Sequence, residues 1–398
     1  MPPTLAPSAQ SLSIIKTLVA FNTVSEHSNL PLIEWVKQYL SDHGVASRLS
    51  YDSTRRKANL FATLGGQGSE KSGGLILSGH TDTVPVTGQA WATPPFEAVL
   101  SSSEDRLYGR GTADMKSFIG VCLALVPSIV AQHRGAPLHL ALSFDEETTM
   151  LGVRSLIADL RDAGITPAGC IIGEPTDMAA VVGHKGRRHV RCCVRGKAAH
   201  SSLPLDGVNA IEYAAKIVVY LRELGQRHRM SEPRHFGYAV PYSTVQTTMV
   251  LGGLSANTIP AECAFDFEFR HLPWTDAAAL QAEVQAFAQT QVLPEMLQQF
   301  VDCNITFTTA AVLPAFGAAS ATEGLDDGTA AVLARMNRTG QPLGYVGFGT
   351  EASWFQDAGI PTVICGPGSI DQAHKPNEFI ALSQIAQCEA FIRSLMVL

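Results

Sequence analysis

The stretch Leu75-Ile-Leu-Ser-Gly-His80-Thr-Asp82 joins an apolar run to a histidine and an aspartate. The apolar run predicts a strand that ends at Gly79, and open α/β sheets place their functional sites just beyond the carboxyl ends of such strands. His80 and Asp82 are two residues apart in an extended segment, so their side chains point the same way. Asp82 could then accept one imidazole N–H while the other nitrogen binds a metal. Taken alone, the motif is more simply an ordinary polar turn.

Alternating apolar patterns on both sides of this strand predict the fold class. Besides Leu75–Ser78, strand-like runs lie at Ala58–Leu64, Leu138–Phe144, Gly169–Ile172 and Pro361–Cys365. Helix-like runs lie at Ser8–Ala20, Pro31–Gly44, Ser117–Gln132, Leu151–Ala163, Asp327–Asn337 and Ala381–Met396. Strands that alternate with helices predict an α/β domain in which a mixed, mostly parallel sheet is flanked by helices. Pro127 is expected to cause a kink or an early end in its helix.

A different order of elements begins near Gly183. Strand-like runs at His189–Val194, Ser243–Leu251, Glu262–Arg270 and Ile305–Ala311 enclose helices at Asn209–Gly225 and Thr275–Thr290. The order β-α-β-β-α-β is typical of a ferredoxin-like α+β domain, a small antiparallel sheet with two helices on one face. We therefore expect a discontinuous first domain, residues 1–183 and 311–398, and a second domain, residues 184–310, inserted into it.

Composition and charge exclude several classes of protein. The chain has 398 residues, 46% of them hydrophobic, and a formal net charge of −7 at pH 7. This balance predicts a globular protein and argues against nucleic-acid binding, which needs a basic face. The apolar stretch Ser117–Gln132 is shorter than the ~20 residues that span a bilayer. The N-terminal sequence has no signal-peptide pattern, and eight cysteines without a Cys-x-x-Cys pair predict reduced thiols in a cytoplasmic protein.

Further carboxylates and a second histidine follow predicted strands or begin a helix. They are Asp114, the pair Glu146 and Glu147, Glu174 and His374. Each has a simpler interpretation by itself, as a helix cap for Asp114 or a solvated turn for the acidic run. With His80, however, they would gather at one edge of the sheet. Two histidines and three carboxylates suit two divalent cations of the zinc type, and Glu146, beside Glu147, is then available as a general base.

Five motifs resemble those of the dinuclear-zinc aminoacylase and deacetylase family, whose catalytic domain has a zinc-exopeptidase-like fold. They are Ser78-Gly-His-Thr-Asp-Thr-Val-Pro85, Arg106-Leu-Tyr-Gly-Arg-Gly-Thr-Ala-Asp-Met-Lys116, Asp145-Glu-Glu147, Gly173-Glu-Pro-Thr176 and the late His374. The resemblance implies two divalent metal ions, Zn²⁺ or alternatively Co²⁺. It implies His80, Asp114 and Glu174 as ligands of one ion, and Asp114, Glu147 and His374 as ligands of the other. It also implies that Asp82 orients His80 and that Glu146 is the base.

The resemblance also gives roles to four residues outside this set. It implies a homodimer in which His200 reaches the active site of the partner subunit and hydrogen-bonds the oxyanion of the reaction. Asn257 and Arg270 match residues that bind the substrate carboxylate, for which an amide and a forked guanidinium are well suited. Glu351 is expected to contact a distal ammonium group of the substrate. The simpler interpretation of His200 and Asn257 is a position in an exposed turn, and that of Arg270 is an exposed strand end. For Glu351 it is a structural role.

The implied activity is hydrolysis of a small N-acyl amino acid by a water molecule activated between the two metals. Gly173-Glu-Pro-Thr-Asp-Met178 and Phe348-Gly-Thr-Glu-Ala352 favour N-acetyl-ornithine, a substrate of arginine biosynthesis, without excluding N-acetyl-citrulline. N-succinyl-diaminopimelate, other N-acyl amino acids and dipeptides stay open as substrates of sibling enzymes. A non-catalytic metal-binding scaffold is disfavoured because it would have no use for Asp82 and Glu146. The sequence has no Gly-x-Ser-x-Gly motif to support a serine hydrolase.

Overall fold

The fold divides into two compact units. The computed structural model describes residues 6–65, 72–101, 105–320 and 323–396. The first unit comprises the described residues of Met1–Val182, Leu325–Gly344 and Thr350–Leu398, and the second those of Gly183–Gly324 and Tyr345–Gly349. The first unit is therefore discontinuous in sequence, and the chain leaves it and returns to it twice.

The described residues form the following helices and strands. The helices are α1 (Ala9–Ala20), α2 (Leu30–Asp42), α3 (Lys116–Gln132), α4 (Leu151–Asp162), α5 (Ala210–Ser231), α6 (Ala277–Phe287), α7 (Leu293–Leu297), α8 (Asp327–Arg335), α9 (Ala352–Asp357) and α10 (Leu382–Leu395). The strands are β1 (Ser47–Tyr51), β2 (Ala58–Thr63), β3 (Leu75–His80), β4 (Val99–Ser101), β5 (Arg106–Tyr108), β6 (Leu138–Ser143), β7 (Gly169–Pro175), β8 (Val181–His184), β9 (Gly186–Arg195), β10 (Ala199–His200), β11 (Thr244–Gly252), β12 (Thr258–Ile259), β13 (Glu262–His271), β14 (Asn304–Leu313), β15 (Gly344–Val346), β16 (Thr362–Gly366) and β17 (Phe379–Ala381).

An eight-stranded sheet has the order β1-β2-β6-β3-β7-β16-β8-β15. Its central strands β6, β3, β7 and β16 are parallel, whereas β1 and β2 pair antiparallel with each other and β8 pairs antiparallel with β16. The four central strands are buried along their whole length, which explains their continuous apolar runs. The predicted mixed, mostly parallel sheet is confirmed. Because parallel strands end at the same edge, the residues that follow these strands are brought together.

Helix α3 packs against β3 and β7 of this sheet. Twelve of its 17 residues are buried, as its apolar sequence predicted. A Cβ atom on Gly173 of β7 would lie 2.1 Å from ring atoms of Phe118, so the glycine lets α3 approach the strand this closely. The helix continues through Pro127 to Gln132, so it does not end early at the proline. This packing holds the amino end of α3, and Asp114 just before it, beside the sheet.

The second unit contains a four-stranded antiparallel sheet of order β11-β13-β9-β14. Along the chain its elements follow the predicted order β9, α5, β11, β13, α6, β14. Apolar side chains of α5, α6 and the sheet form its core, among them Val190, Ile217 and Phe267. Helix α5 continues past Gly225, where it was expected to end, to Ser231. A glycine inside a helix costs only about 1 kcal/mol relative to alanine, which the packed helix tolerates.

The length and apolarity of the helices bear on membrane crossing, and the state of the cysteines bears on disulfide bonding. Of the helices in the described ranges, none combines the length and apolarity that crossing a bilayer requires. All eight cysteines are free thiols; seven are buried and Cys193 is exposed.

Candidate active site

Acidic and histidine side chains of the first unit gather beyond the carboxyl ends of the central strands. His80 is the last residue of β3, Glu174 lies at the end of β7, Glu146 and Glu147 follow β6, Asp114 precedes α3, and His374 follows β16. The structure brings these residues together at one edge of the sheet, because the four strands are neighbours in it and α3 packs against two of them.

Asp114 lies between the two histidines. His80 Nε2 is 3.0 Å from Asp114 Oδ1 and 3.7 Å from Glu174 Oε1. His374 Nε2 is 3.5 Å from Asp114 Oδ2 and 2.9 Å from Glu147 Oε2. Each oxygen of the Asp114 carboxylate thus faces a different histidine. The Asp114–Met115 peptide bond is cis.

The donor atoms of this cluster fit divalent cations. Ligand atoms of His80, Glu146 and Glu174 lie within 4.8 Å of one another, and so do those of His80, Asp114 and Glu147. Imidazole nitrogens and carboxylate oxygens are the donors that zinc-type ions take from proteins. The first of these groups includes Glu146, for which the resemblance implied the role of base. Neither group includes His374, although that residue contacts Asp114 and Glu147.

Burial makes the charge of the cluster costly unless protons or cations balance it. Burial acts to lower the pKa of His80, but Asp114 and Glu174 outweigh it and raise that pKa well above its usual range. Burial and neighbouring carboxylates raise the pKa of Glu146 and of Glu174 well above the usual range. Bound cations would offset this cost, because they favour the ionised form of the carboxylates around them.

Asp82 fixes the loop that follows β6. Its carboxylate accepts the backbone N–H groups of Glu146 at 3.1 Å and Glu147 at 3.3 Å, and the hydroxyl of Ser25 donates to it at 2.6 Å. Its relation to His80 differs from the expected side-chain contact. His80 Nδ1 lies 3.0 Å from the backbone oxygen of Asp82 and 3.7 Å from its carboxylate oxygen Oδ1. In this structure the main chain of Asp82 is therefore the nearer partner of His80.

Two buried charged residues to which the sequence gave no role lie behind Asp114. The Glu378 carboxylate accepts the backbone N–H groups of Gly111, Ala113 and Asp114. It also binds the guanidinium of Arg110 at 2.7 Å. The only signal in the sequence was position, since Arg110 precedes Asp114 by four residues and Glu378 follows His374 by four.

Glu351 is buried in the first unit, directly before α9. Burial raises the pKa of its carboxyl to about 7, and His80 and Asp82 are among the charges that act on it. Within the described ranges, its Oε1 atom has no hydrogen-bond partner. The carboxylate that is expected to contact a substrate ammonium group is therefore buried, and one of its two oxygens accepts no hydrogen bond within the described ranges.

The remaining three predicted residues lie in the second unit. His200 ends β10 and is exposed, and the N–H of Ser201 donates to the backbone oxygen of Asn257 at 2.9 Å. Arg270 lies eight residues beyond the first residue of β13, about 27 Å along an extended strand. Its Nε atom donates to Glu268 Oε1 at 2.9 Å. The structure brings His200 and Asn257 together and places Arg270 toward the opposite end of β13.

Known proteins are similar to this chain over nearly its whole length. The model of the family described as Peptidase family M20/M25/M40 matches residues 76–397. Acetylornithine deacetylase of Aliivibrio fischeri (strain ATCC 700601 / ES114) is 33% identical over 389 residues, 97% of this chain and 96% of the relative. Among solved structures, aminopeptidase PepT from Bacillus cereus aligns with a TM-score of 0.74 at 19% identity, covering 98% of both chains. The YXEP protein of Bacillus subtilis, described as a dinuclear metal binding peptidase, aligns with a TM-score of 0.64 at 15% identity, covering 98% of both chains.

Proposed function

Because the chain belongs to peptidase family M20/M25/M40, we propose that it removes the acetyl group of N2-acetyl-L-ornithine, giving L-ornithine and acetate. The chain is a metal-dependent hydrolase of amide bonds, as the resemblance of its motifs implied. The observation that carries the proposal is the cluster in which Asp114 lies between His80, which is buried, and His374, which is exposed. The 33% identity to the Aliivibrio fischeri enzyme supports N-acetyl-ornithine as the substrate, and with it a role in arginine biosynthesis.

The cluster is proposed to bind two divalent cations, zinc or alternatively cobalt. One ion would be held by His80, Asp114 and Glu174, and the other by Asp114, Glu147 and His374. Bound there, the ions would activate a water molecule and polarise the acyl carbonyl group. The donor set supports this assignment because it consists of imidazole nitrogens and carboxylate oxygens. His80 Nε2 lies 3.0 Å from Asp114 and 3.7 Å from Glu174, and His374 Nε2 lies 3.5 Å from Asp114 and 2.9 Å from Glu147.

Glu146 is proposed as the general base. Its backbone is fixed by Asp82, and its buried carboxylate lies within the cluster. In amide hydrolysis it would accept a proton from the attacking water and deliver it to the departing amine nitrogen. Asp82 would act through the loop and through the main-chain contact with His80.

Three residues are proposed to bind the substrate. Asn257 and Arg270 would bind its α-carboxylate, the group that an amide and a guanidinium recognise well. Because they lie toward opposite ends of β13, they could meet at one carboxylate only if they came from different subunits of a dimer. In the described structure Arg270 is bound to Glu268, so a substrate carboxylate would have to share or replace that partner. Glu351 would contact the distal ammonium of ornithine, because a buried carboxylate with an unpaired oxygen gains from a cationic partner.

We also propose a homodimer in which His200 donates a hydrogen bond to the oxyanion in the partner's active site. Strand β11 is an edge of the second unit's sheet. Three consecutive apolar side chains on it, Met249, Val250 and Leu251, are 42%, 55% and 53% exposed. An exposed apolar edge strand readily pairs with another chain, which supports a second copy as its partner.

Sibling activities are the alternative to acetylornithine deacetylation. Deacetylation of N-acetyl-citrulline, desuccinylation of N-succinyl-diaminopimelate, general aminoacylase activity and dipeptidase activity would use the same metal cluster. The seven buried free thiols are consistent with a cytoplasmic location, which we propose.

The test is release of free amine from N-acetyl-ornithine, N-acetyl-citrulline and N-succinyl-diaminopimelate, measured side by side. Each reaction is run with zinc- or cobalt-loaded protein and repeated after chelation. We expect chelator-sensitive turnover of N-acetyl-ornithine well above that of the other two. Preference for another substrate would contradict the proposed substrate but keep the metal cluster, whereas turnover that survives complete metal removal would contradict the cluster's role.

A further inference from the structure

A buried ion pair connects the two loops that carry Asp114 and His374. Arg110 Nη1 lies 2.7 Å from Glu378 Oε2, and both side chains are 1% exposed. Arg110 is four residues before Asp114, and Glu378 is four residues after His374. The two residues are thus 268 positions apart in sequence, and their contact joins one ligand-bearing loop to the other.

On the side of Asp114, Glu378 fixes the main chain. Its Oε1 atom accepts the N–H groups of Ala113 at 2.8 Å and Asp114 at 3.1 Å. Its Oε2 atom accepts the N–H of Gly111 at 3.1 Å in addition to the guanidinium of Arg110. Four hydrogen bonds use the full accepting capacity of one carboxylate, and charge assistance strengthens each of them.

On the side of His374, Arg110 fixes the main chain with the help of Gln89. Arg110 Nη1 donates to the backbone oxygen of Lys375 at 3.3 Å, and Nη2 donates to Gln89 Oε1 at 2.7 Å. Gln89 in turn donates through Nε2 to the backbone oxygen of His374 at 2.9 Å. The guanidinium also lies over the ring of Trp91, 5.1 Å from its centroid. Backbone atoms of residues 374 and 375 are therefore held by the same pair that holds residues 111–114.

Stability alone is a weak reason for such a pair, because removing two charges from water costs free energy that their attraction only partly offsets. The effect of the pair on geometry is more specific, because its hydrogen bonds hold the main chain of both loops. We propose that Arg110 and Glu378 are positioning residues that set the separation of Asp114 and His374 as ligands of one metal ion, an inference that rests on the proposed dinuclear site. The other ion shares Asp114 with the first, but its two remaining ligands, His80 and Glu174, lie on β3 and β7 and not on these loops.

The test compares metal binding by the full-length chain and its Glu378→Gln and Arg110→Lys variants. In Glu378→Gln an amide NH₂ group replaces one of the two carboxylate oxygens. That group then faces N–H donors from which it cannot accept a hydrogen bond. In Arg110→Lys the charge stays, so no buried carboxylate is left without a cation, but the fork that reaches Gln89 and Lys375 is lost. Glu389→Gln is the matched control, because Glu389 is also a buried glutamate and accepts the N–H and hydroxyl of Ser8 away from the cluster.

Chelated protein is titrated with zinc by calorimetry, and the thermal unfolding of the chelated protein is recorded in parallel. We expect two zinc ions in the unaltered chain and in the control. In both positioning variants the ion that takes both Asp114 and His374 should bind about 10- to 100-fold more weakly, the usual effect of removing an outer-shell partner. The other ion has only Asp114 on these loops and should be weakened less.

Three results would overturn the inference. Both ions could bind the two positioning variants as tightly as they bind the unaltered chain. Both could be weakened equally, in step with a lower unfolding temperature of the chelated protein, which would show a merely structural role. If the unaltered chain itself bound fewer than two ions, the proposed dinuclear site would fail first, and this outcome separates the two ideas.

Discussion

The carboxylate of Asp82 accepts the backbone N–H of Glu146 at 3.1 Å. This bond joins the residues that follow β3 to the loop that follows β6, the neighbouring strand in the sheet. It fixes the main chain of the proposed base and leaves its side chain free for proton transfer. The position of the base therefore depends on a carboxylate that is itself supported by the Ser25 hydroxyl.

Replacing Ser25 by alanine should lower kcat without changing the metal content. Loss of a hydrogen bond to a charged group corresponds to about 1.5 kcal/mol, or roughly tenfold in rate if it is expressed in the transition state. Steady-state kinetics and metal analysis check this. Ser28→Ala is the control, because the Ser28 hydroxyl binds the backbone oxygen of Arg56 instead. Equal kcat in the Ser25 and Ser28 variants would contradict the supporting role.

Glu146→Gln should reduce kcat by about 10²- to 10⁴-fold, the usual contribution of a general base, and retain both metal ions. Glu147→Gln, a change in the adjacent residue, should instead weaken metal binding. Elemental analysis after dialysis and steady-state kinetics distinguish the two effects. Loss of metal from Glu146→Gln would make this residue a ligand, which its proximity to His80 and Glu174 would allow.

Mixing two inactive variants tests whether His200 acts in the partner subunit. His200→Ala and Glu146→Gln proteins are dissociated, mixed and reassembled. If His200 acts across the dimer, each mixed dimer contains one intact site, and random pairing restores about a quarter of the full activity. Each variant treated alone is the control. No recovery, in a mixture shown to contain mixed dimers, would place His200 in its own subunit's site.

Val250→Lys should convert the proposed dimer to a monomer, because a charge on an edge strand prevents pairing with another chain. Light scattering after gel filtration measures the mass. Val301→Lys is the control, since Val301 is an apolar residue of the second unit outside β11 that is even more exposed than Val250, 78% against 55%. A Val250→Lys protein that stays dimeric would exclude β11 as the interface.

Glu232 should stabilise the second unit in a pH-dependent way. Burial acts to raise the pKa of its carboxyl, but the nearby His228, 3.8 Å away, and hydrogen bonds from Thr275 and Ser243 outweigh it and lower the pKa to about 2. Because this pKa is lower in the folded protein than the value of 4.5 in the unfolded chain, the ionised Glu232 carboxylate stabilises the folded state above pH 4.5. This stabilisation is lost as the pH falls from 4.5 toward 2. Glu232→Gln should therefore cost about 2 kcal/mol at pH 7 and progressively less between pH 4.5 and 2.

Urea unfolding of the unaltered protein and the Glu232→Gln variant at several pH values measures this difference. The control is Glu262→Gln, at an exposed glutamate of the same unit. A stability difference that stayed constant from pH 7 to pH 3 would contradict the assignment of the effect to the Glu232 charge.

The sequence predicted the elements that are long and uniformly buried. Strands β3, β6 and β7 carry continuous apolar runs because both of their faces are covered, and such runs are visible without a structure. Strands β4, β5, β15 and β17 have only three residues each, too few to form a pattern, and were not predicted. Their pairing depends on neighbours that are distant in sequence, such as Phe379 beside Tyr108.

For the site, the sequence identified the groups that follow strands, but it could not supply their tertiary partners. His80, Glu147 and Glu174 could be grouped because parallel strands end at one edge. The contact of Arg110 with Glu378 could not, because nothing local marks two charged residues 268 positions apart as partners. The same holds for the bond from Ser25 to Asp82, which depends on how the loop after α1 meets the sheet.

The divided first unit has a consequence for how the protein is made. During synthesis the N-terminal segment, through Val182, emerges before the strand β16 that pairs with its β7. The described second unit is complete once residue 349 has been made, so it can fold while the first still lacks β16, His374 and Glu378. In the nascent first unit, one hydrogen-bonding edge of β7 therefore has no partner strand until β16 has been made. His374, the last residue of the cluster in sequence, is therefore also the last of them to leave the ribosome.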